Sequence, residues 1–380
     1  MNHISFLIKP ASSSCNLRCK YCFYCDIADN RSVENYGIME DSLAETLIKR
    51  AFDENAKMIT FAFQGGEPTL AGLDFFKKFV AITKKYNTNN TIINFSLQTN
   101  GFSLNNKWAE FFKANNFLIG ISLDGPKDIH DSLRITQNKK GSFNKVMHSI
   151  KLLKSFDIPF NILSVLTSFN SKHITKVYNF FKKEKFTHLQ FIPCIEPFEY
   201  NEHLSKYSLK NDEYTYALNT LFKLYKEDFL SGNYTSIRLF DNYIQMCLGY
   251  PPENCGLSGV CSCYFVIESN GDVFPCDFYA LDKYKLGNIS DNSFNNIKEI
   301  STAKNFIRES TLIDEKCIKC KYRKLCNGGC KRYRTLITDS NIPMNYYCNA
   351  YYNFFDTNID GLMEIATILK SRYNLKNRKI

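Results

Sequence analysis

SFLIKPASSSCNLRCKYC, residues 5–22, opens with a short apolar run, breaks at Lys9-Pro10, and then sets Cys15, Cys19 and Cys22 in a CxxxCxxC spacing. The apolar run predicts a strand. Proline followed by a run of serines predicts that the cysteines ride on the loop after it. Three thiolates on one short loop can hold three irons of a 4Fe-4S cubane and leave the fourth iron without a protein ligand, the open position that a catalytic cluster needs. A zinc loop is the competing reading of the same spacing. Cys25 would close the site as a fourth ligand, but Tyr24 and Asp26 beside it run on toward the first helix, which argues against that role.

Downstream, short apolar runs alternate with longer amphipathic stretches. The pattern predicts strands at 5–8, 58–63, 92–97, 117–123, 160–166 and 188–192, and helices at 41–52, 73–86, 105–115, 142–156, 172–183 and 212–230. Repeated βα units call for a parallel sheet with helices outside. Six of them predict an α/β fold, a partial (βα)6 barrel whose loops at the carboxyl ends of the strands form the active site. Those ends carry Gln64-Gly65-Gly66-Glu67-Pro68, Gln98-Thr99-Asn100-Gly101 and Asp124-Gly125-Pro126. Neither GxGxxG after a strand nor GxxxxGK[ST] occurs, so the nicotinamide and P-loop classes lack their fingerprints.

Composition sets the wider bounds. Of 380 residues 44% are hydrophobic and 23% charged, which excludes disordered and fibrous classes. The 48 Lys+Arg and 38 Asp+Glu give a net charge of +10, but the basic residues are scattered, so no nucleic-acid partner is expected. No apolar run is long enough to span a membrane, and the first ten residues are too short and too soon interrupted for a secretory core. A cytoplasmic, reducing location follows as the expectation, and there 15 cysteines point to metal rather than disulfides.

Most of the remaining cysteines fall after Cys247. Glycine and prolines near 249–252 break the βα pattern, and a boundary near residue 235 divides a barrel at 1–234 from a small cysteine-rich α+β domain at 235–348. Strand-like pieces at 264–268 and 272–274 lie within that domain, and a C-terminal helix at 349–380 packs back. Within the second domain Cys261, Gly271 and Cys276 precede Cys317-x2-Cys320-x5-Cys326-x3-Cys330 and Cys348, with Cys255 upstream. Eight thiolates make two fully ligated clusters, suited to electron transfer or structure, and a pair of four-cysteine zinc sites is the alternative. Cys263 is close enough in sequence to exchange with Cys261.

The first loop, with Tyr21 in the aromatic place before its last cysteine, resembles the radical S-adenosylmethionine (SAM) enzymes, as does the GGEP segment. The later cysteine array resembles their SPASM extension. Across nearly the whole chain, the segments LIKPASSSCNLRCKYCFY, FAFQGGEPTLAG, SLQTNG, SLDGPKDIH and PCDFYALDKYKLGNI resemble the anaerobic sulfatase-maturating enzymes. The resemblance implies SAM and three 4Fe-4S clusters as cofactors. Cys15, Cys19 and Cys22 would hold the SAM-binding cluster; Cys255, Cys261, Cys276 and Cys330 the first auxiliary cluster; Cys317, Cys320, Cys326 and Cys348 the second. It further implies SAM contacts at Tyr21, Gly65, Gly66, Glu67, Ser122, Arg134 and Ile195. Asp277 would be the catalytic base, and Tyr24, Gln64, Gln98 and Asn100 substrate contacts.

The implied reaction oxidises a Cys or Ser in a CxPxR-like or SxPxR-like stretch of an unfolded or nascent sulfatase to formylglycine, with an electron donor such as flavodoxin or ferredoxin. A SPASM enzyme that crosslinks a ribosomal peptide is the alternative enzyme, and a basic zinc-binding nucleic-acid module the alternative of another class.

Overall fold

The computed structural model describes residues 2–199, 201–334 and 344–377. Its backbone is a sequence of parallel strands: β1 (His3–Ile8), β2 (Met58–Phe63), β3 (Ile92–Thr99), β4 (Leu118–Ser122), β5 (Phe160–Leu166) and β6 (His188–Pro193). They pair in chain order, β1 to β2 through β5 to β6, as the alternation of apolar runs predicts. Helices α1 (Phe23–Asp29), α2 (Asp41–Asp53), α3 (Leu73–Tyr86), α4 (Asn106–Ala114), α5 (Lys127–Leu133), α6 (Phe143–Ser155) and α7 (Ile174–Lys183) fill the crossovers. Six of the strands and five of these helices fall within a few residues of their expected positions. The short helices α1 and α5 were not foreseen, because one or two turns do not establish a 3.6-residue period.

Alternation within the strands divides the two faces of the sheet. Ile59, Phe61 and Phe63 of β2 and Phe95 and Leu97 of β3 turn outward to the helices, where Phe63 meets Phe79 edge-on with ring centroids 5.0 Å apart and Phe95 stacks on Phe117 at 5.1 Å. Each such buried ring contributes roughly 1.5–3 kcal/mol. The alternate residues Ser5, Thr60, Ala62, Ser96, Gln98 and Gly120 are small or polar and only half-buried, so the concave face keeps room for a guest.

The chain beyond residue 235 does not form a separate sheet. β7 (Ser236–Ile237) pairs with β6, while β8 (Val266–Ile267) joins β1 in parallel, and β9 (Asp272–Phe274) and β10 (Gly287–Asn288) extend that edge antiparallel. The result is one ten-stranded sheet, β10-β9-β8-β1-β2-β3-β4-β5-β6-β7. A short α8 (Glu202–Ser205), then α9 (Asn211–Leu230) and α10 (Arg238–Cys247), cover the β6 side, and the C-terminal helix Cys348–Asn377 packs on α9 and α10, with Phe354 between Phe222 and Phe240. The expected cysteine-rich region includes 335–343, which lie outside the described residues.

α5 carries a buried histidine that staples the end of β4. His130 Nδ1 accepts from the Asp124 amide at 3.3 Å, its Nε2 lies 2.9 Å from Ser142 Oγ, and that hydroxyl donates to the Arg134 carbonyl. Burial brings the imidazole down to about 4 from its ordinary 6.5, so it is neutral at pH 7. The unfolded chain binds a proton at His130 near pH 6.5, the folded chain only near pH 4. The stability due to the neutral ring is therefore complete above the first value and is lost, by up to about 3 kcal/mol, as pH falls toward the second. His130→Gln should flatten the decline in urea-unfolding free energy between pH 7 and pH 5; a slope equal to that of the parent would assign the decline to other groups.

Candidate active site

Every candidate residue of the barrel lies at or just beyond the carboxyl end of a strand. The loop after β1 is pressed against the Gly-Gly-Glu turn after β2: Gly66 donates to the Ser12 carbonyl at 3.0 Å and Glu67 to the Ser14 carbonyl at 2.7 Å. A Cβ on Gly66 would stand 2.2 Å from the Ser14 carbonyl oxygen, and Gly65 adopts φ +131°, so this approach requires glycine. The buried Glu67 carboxylate accepts from the Thr69 amide (3.1 Å) and hydroxyl (2.6 Å), the Thr99 hydroxyl (2.7 Å) and the Asn100 amide (2.8 Å). The structure thus places Glu67 as a tie between β2 and β3, its carboxylate occupied by protein donors.

Cys15, Cys19 and Cys22 sit half-buried on this loop, and none of the chain's cysteines is in a disulfide. Their sulfurs are met by N–H donors: the Leu17 amide lies 3.4 Å and Asn100 Nδ2 3.7 Å from Cys15 Sγ, and Arg134 Nη1 lies 3.9 Å from Cys19 Sγ. Burial pushes the Cys15 thiol up to about 11 and Cys19 to about 12. Cys22 is brought down to about 6, chiefly by a hydrogen bond from the Cys25 thiol, whose own ionisation is pushed up by the same bond. Three thiols that share a loop and receive donors suit an iron–sulfur cluster, whose thiolates are stabilised by such bonds.

Around that loop lie the expected SAM contacts. Asp124, fully buried, accepts from the Tyr21 hydroxyl, from Arg134 Nε at 2.9 Å and from the Val165 amide at 3.0 Å. The Arg134 guanidinium stands 5.4 Å from the Tyr21 ring centroid. Ser122 ends β4 beside this group, buried. Ile195 follows β6 and, with Tyr21, Cys22 and Cys194, lines a narrow cleft next to the last cysteine of the loop. Sequence reading noted Asp124 only as a turn residue; its position in a Gly-Pro turn hid its role as the counter-charge of Arg134.

The structure gathers three other candidates into one contact. Tyr24 of α1 donates to Asp277 Oδ2 at 2.6 Å, and Gln64 Nε2 reaches the Tyr24 hydroxyl at 2.8 Å and Asp277 Oδ2 at 3.0 Å. Asp277 opens a short helical turn after Cys276, yet its side chain does not cap that turn. Its Oδ1 is enclosed and has no hydrogen-bond partner among the described residues. Burial raises the Asp277 carboxyl above its ordinary range, opposed first by Lys9. Gln98 faces the same concave side from β3 without joining this set. Asn100 turns instead to the cysteine loop, bonding Asn16 Oδ1 at 2.8 Å besides Cys15.

Behind the set is a buried ion triad that sequence reading missed. Lys9 Nζ and Arg31 Nη1 both lie 2.6 Å from Glu268 Oε1, all three side chains almost without exposure. Burial alone would raise the Glu268 carboxyl, but Lys9 and Arg31 bring it below its ordinary value. Lys9 also stands 5.2 Å from the Tyr24 ring centroid. An isolated Lys, Arg and Glu in three distant segments give no sequence signal.

Several of the later cysteines are buried close enough to raise one another's ionisation. Cys276 is raised by burial and then by Cys330 and Cys255, and Cys330 by burial and then by Cys255 and Cys261. Cys326 is raised by burial to about 12, with Cys348, Cys317 and Cys320 adding to it. Among the described residues, no three of His, Cys, Asp or Glu are grouped to hold a single metal ion.

Comparison with known proteins agrees with this arrangement. Residues 10–181 match the radical SAM superfamily and residues 255–321 the SPASM iron-sulfur cluster-binding domain. A cysteine-type anaerobic sulfatase-maturating enzyme of Clostridium novyi is 49% identical over 98% of this chain and 100% of its own, and one of Clostridium perfringens 46% over 97% and 100%. The serine-type enzyme of Bacteroides thetaiotaomicron is 32% identical over 92% of this chain and 88% of its own. The solved structure of native anSMEcpe with bound AdoMet and Cp18Cys peptide superposes with a TM-score of 0.92 at 44% identity, covering 97% of this chain and 99% of that one. SuiB of Streptococcus suis, at 19% identity and a TM-score of 0.61, shares the fold alone. With its cluster loop, its gathered carboxylate and its second cysteine array in place, the chain belongs to the anaerobic sulfatase-maturating enzymes of the radical SAM superfamily.

Proposed function

We propose that this enzyme oxidises the cysteine of a CxPxR-like segment in an unfolded or nascent sulfatase to formylglycine, with Asp277 accepting the substrate proton. The observation that carries the reading is the meeting of Tyr24, Gln64 and Asp277 at the mouth of the barrel, next to Cys276. Preference for cysteine over serine rests on relatives: the cysteine-type enzymes reach 45–49% identity and the serine-type one 32%.

Cys15, Cys19 and Cys22 would hold the cluster that binds SAM, and the two groups of four would hold auxiliary clusters, twelve irons in all. When bound, SAM and its cluster supply a 5'-deoxyadenosyl radical that takes a hydrogen atom from the target Cβ, and the auxiliary clusters offer a destination for the electron then lost. The protein's own residues do the rest. Gly65, Gly66 and Glu67 fix the loop that presents the cluster thiols; Ser122, Arg134, Tyr21 and Ile195 border the SAM site. Tyr24 and Gln64 hold the Asp277 carboxylate by one oxygen and orient it. The target thiol, set against this carboxylate, gives up its proton as its carbon is oxidised, and water converts the resulting thioaldehyde to the aldehyde, the sulfur leaving as hydrogen sulfide. Gln98 lines the concave face where the peptide would pass, and Asn100 reaches it only through the cluster loop. Reduction would come from a flavodoxin or ferredoxin in the cytoplasm. The division at residue 235, with the C-terminal helix beginning at 349, remains our assignment of the domains.

Anaerobic incubation with SAM, reductant and paired CxPxR and SxPxR peptides should give formylglycine faster from the cysteine peptide, read by mass spectrometry; a crosslinked product, or none from either, would overturn the reading. Protein prepared without oxygen should contain about twelve irons, and joint replacement of Cys15, Cys19 and Cys22 should remove about a third of them together with all SAM cleavage; zinc in their place would refute the cluster assignment. Asp277→Asn keeps the polar contacts but cannot take a proton. It should still release 5'-deoxyadenosine while formylglycine falls by roughly 10²–10⁴-fold, and an unaltered product rate with full iron content would move the base elsewhere.

A further inference from the structure

Ile195 belongs to a segment, Cys194 to Phe198, that is held from two sides by residues each placed just after a cluster cysteine. On one side, Asp26 of α1, four residues past Cys22, is buried and accepts the Phe198 amide on Oδ2 at 3.0 Å. On the other, Arg332, two residues past Cys330, is 1% exposed. Its Nη2 donates to the Glu196 carbonyl at 2.6 Å, and its guanidinium carbon lies 4.0 Å from the Phe198 ring centroid. Asp26 and Arg332 also attract each other across the segment. Phe198 also meets Tyr279, three residues past Cys276, edge-on with ring centroids 5.9 Å apart. Tyr347, one residue before Cys348, donates to the Cys194 carbonyl at 3.1 Å. Four cluster-bearing segments therefore converge on five residues, and the cleft those residues form with Tyr21 and Cys22 is the one that Ile195 lines.

We propose that Arg332 is a positioning residue that fixes the Cys194–Phe198 segment over the SAM site, so that the fold of the Cys330 segment sets the affinity for SAM. A guanidinium suits the task because it donates to a carbonyl in its plane while presenting its face to an aromatic ring, which an ammonium cannot do at once. The charge-assisted bond comes from a buried guanidinium and the Phe198 ring beside it is half-buried, so both contacts are partly shielded from water. This role rests on the placing of Ile195 at the border of the SAM site in the proposed function.

The test is SAM binding to the iron-loaded enzyme by anaerobic equilibrium dialysis, with iron content measured alongside. Arg332→Gln should weaken SAM binding about tenfold with iron content kept, raising KM for SAM more than it lowers kcat; Arg332→Lys should recover part of the affinity. Phe198→Leu, which alters no residue of the cysteine-bearing segments themselves, should weaken binding in the same direction, and the double variant should be no weaker than Arg332→Gln alone, since both changes break the contact between the two side chains. Unchanged SAM affinity in Arg332→Gln and Phe198→Leu at full iron content overturns the proposal, as does strict additivity of the pair. Should Arg332→Gln lose iron, Phe198→Leu decides. Ile195→Asn separates the two ideas: if it weakens binding and Arg332→Gln does not, the link fails and the placing of Ile195 at the SAM site stands; if it has no effect, that placing fails and the Arg332 measurements still decide the link.

Discussion

The site depends on one close approach, the backbone of residues 12–14 lying against Gly65 and Gly66. Two amide-to-carbonyl bonds, from Gly66 and Glu67, fasten the cysteine loop to the end of β2, and the space they need exists only because Gly66 has no Cβ. Glu67 then carries the constraint onward, since its carboxylate gathers donors from Thr69, Thr99 and Asn100 and so ties β2 to β3. A buried carboxylate with four donors is stable where an unpaired one would cost several kcal/mol. Asn100, fixed by the same knot, reaches back to Cys15. The loop that presents three thiols is thus held by the sheet edge rather than by a core of its own.

A second constraint joins the two ends of the chain. β8 adds to the free edge of β1, and Glu268 just beyond it binds Lys9 just beyond β1 and Arg31 just beyond α1. Taking three charges out of water is costly, and removing one partner from such a group costs about 3–5 kcal/mol because the others are left uncompensated. What the arrangement provides is register: it fixes where the 266–277 segment lies relative to the first loop. Asp277, just past β9, consequently meets Tyr24 on α1, the helix after β1, and Gln64, just past β2.

Much of this was legible in the residues alone, for identifiable reasons. The six strands follow from apolar runs of four to seven residues, a local signal that tertiary packing had no cause to override. The cluster loop was legible because iron–sulfur ligation imposes a spacing, whereas spacing leaves the pairing of the later cysteines open. The helices α1 and α5 were not legible, being shorter than the period that reveals a helix. Nor was the continuity of the sheet past residue 235, because strands of two or three residues carry no alternation to read, and a break in pattern near 249–252 looks the same whether the chain leaves the sheet or crosses to its other edge.

What the sequence by itself determined is the chemistry available: which thiols share a loop, which carboxylate follows a cluster cysteine, and which strand ends carry polar turns. These are properties of neighbours along the chain, set by spacing and residue type. Only the tertiary structure decided which of them meet. It brought Asp277 to Tyr24 and Gln64 across more than two hundred residues, gave Arg134 its counter-charge in Asp124, and turned Glu67 and Asn100 inward to the loop. The physical reason is that a buried charge or polar group must find a partner wherever the packing puts one. The partner's identity is fixed by how strands are ordered in the sheet, a long-range property that no local stretch of residues contains.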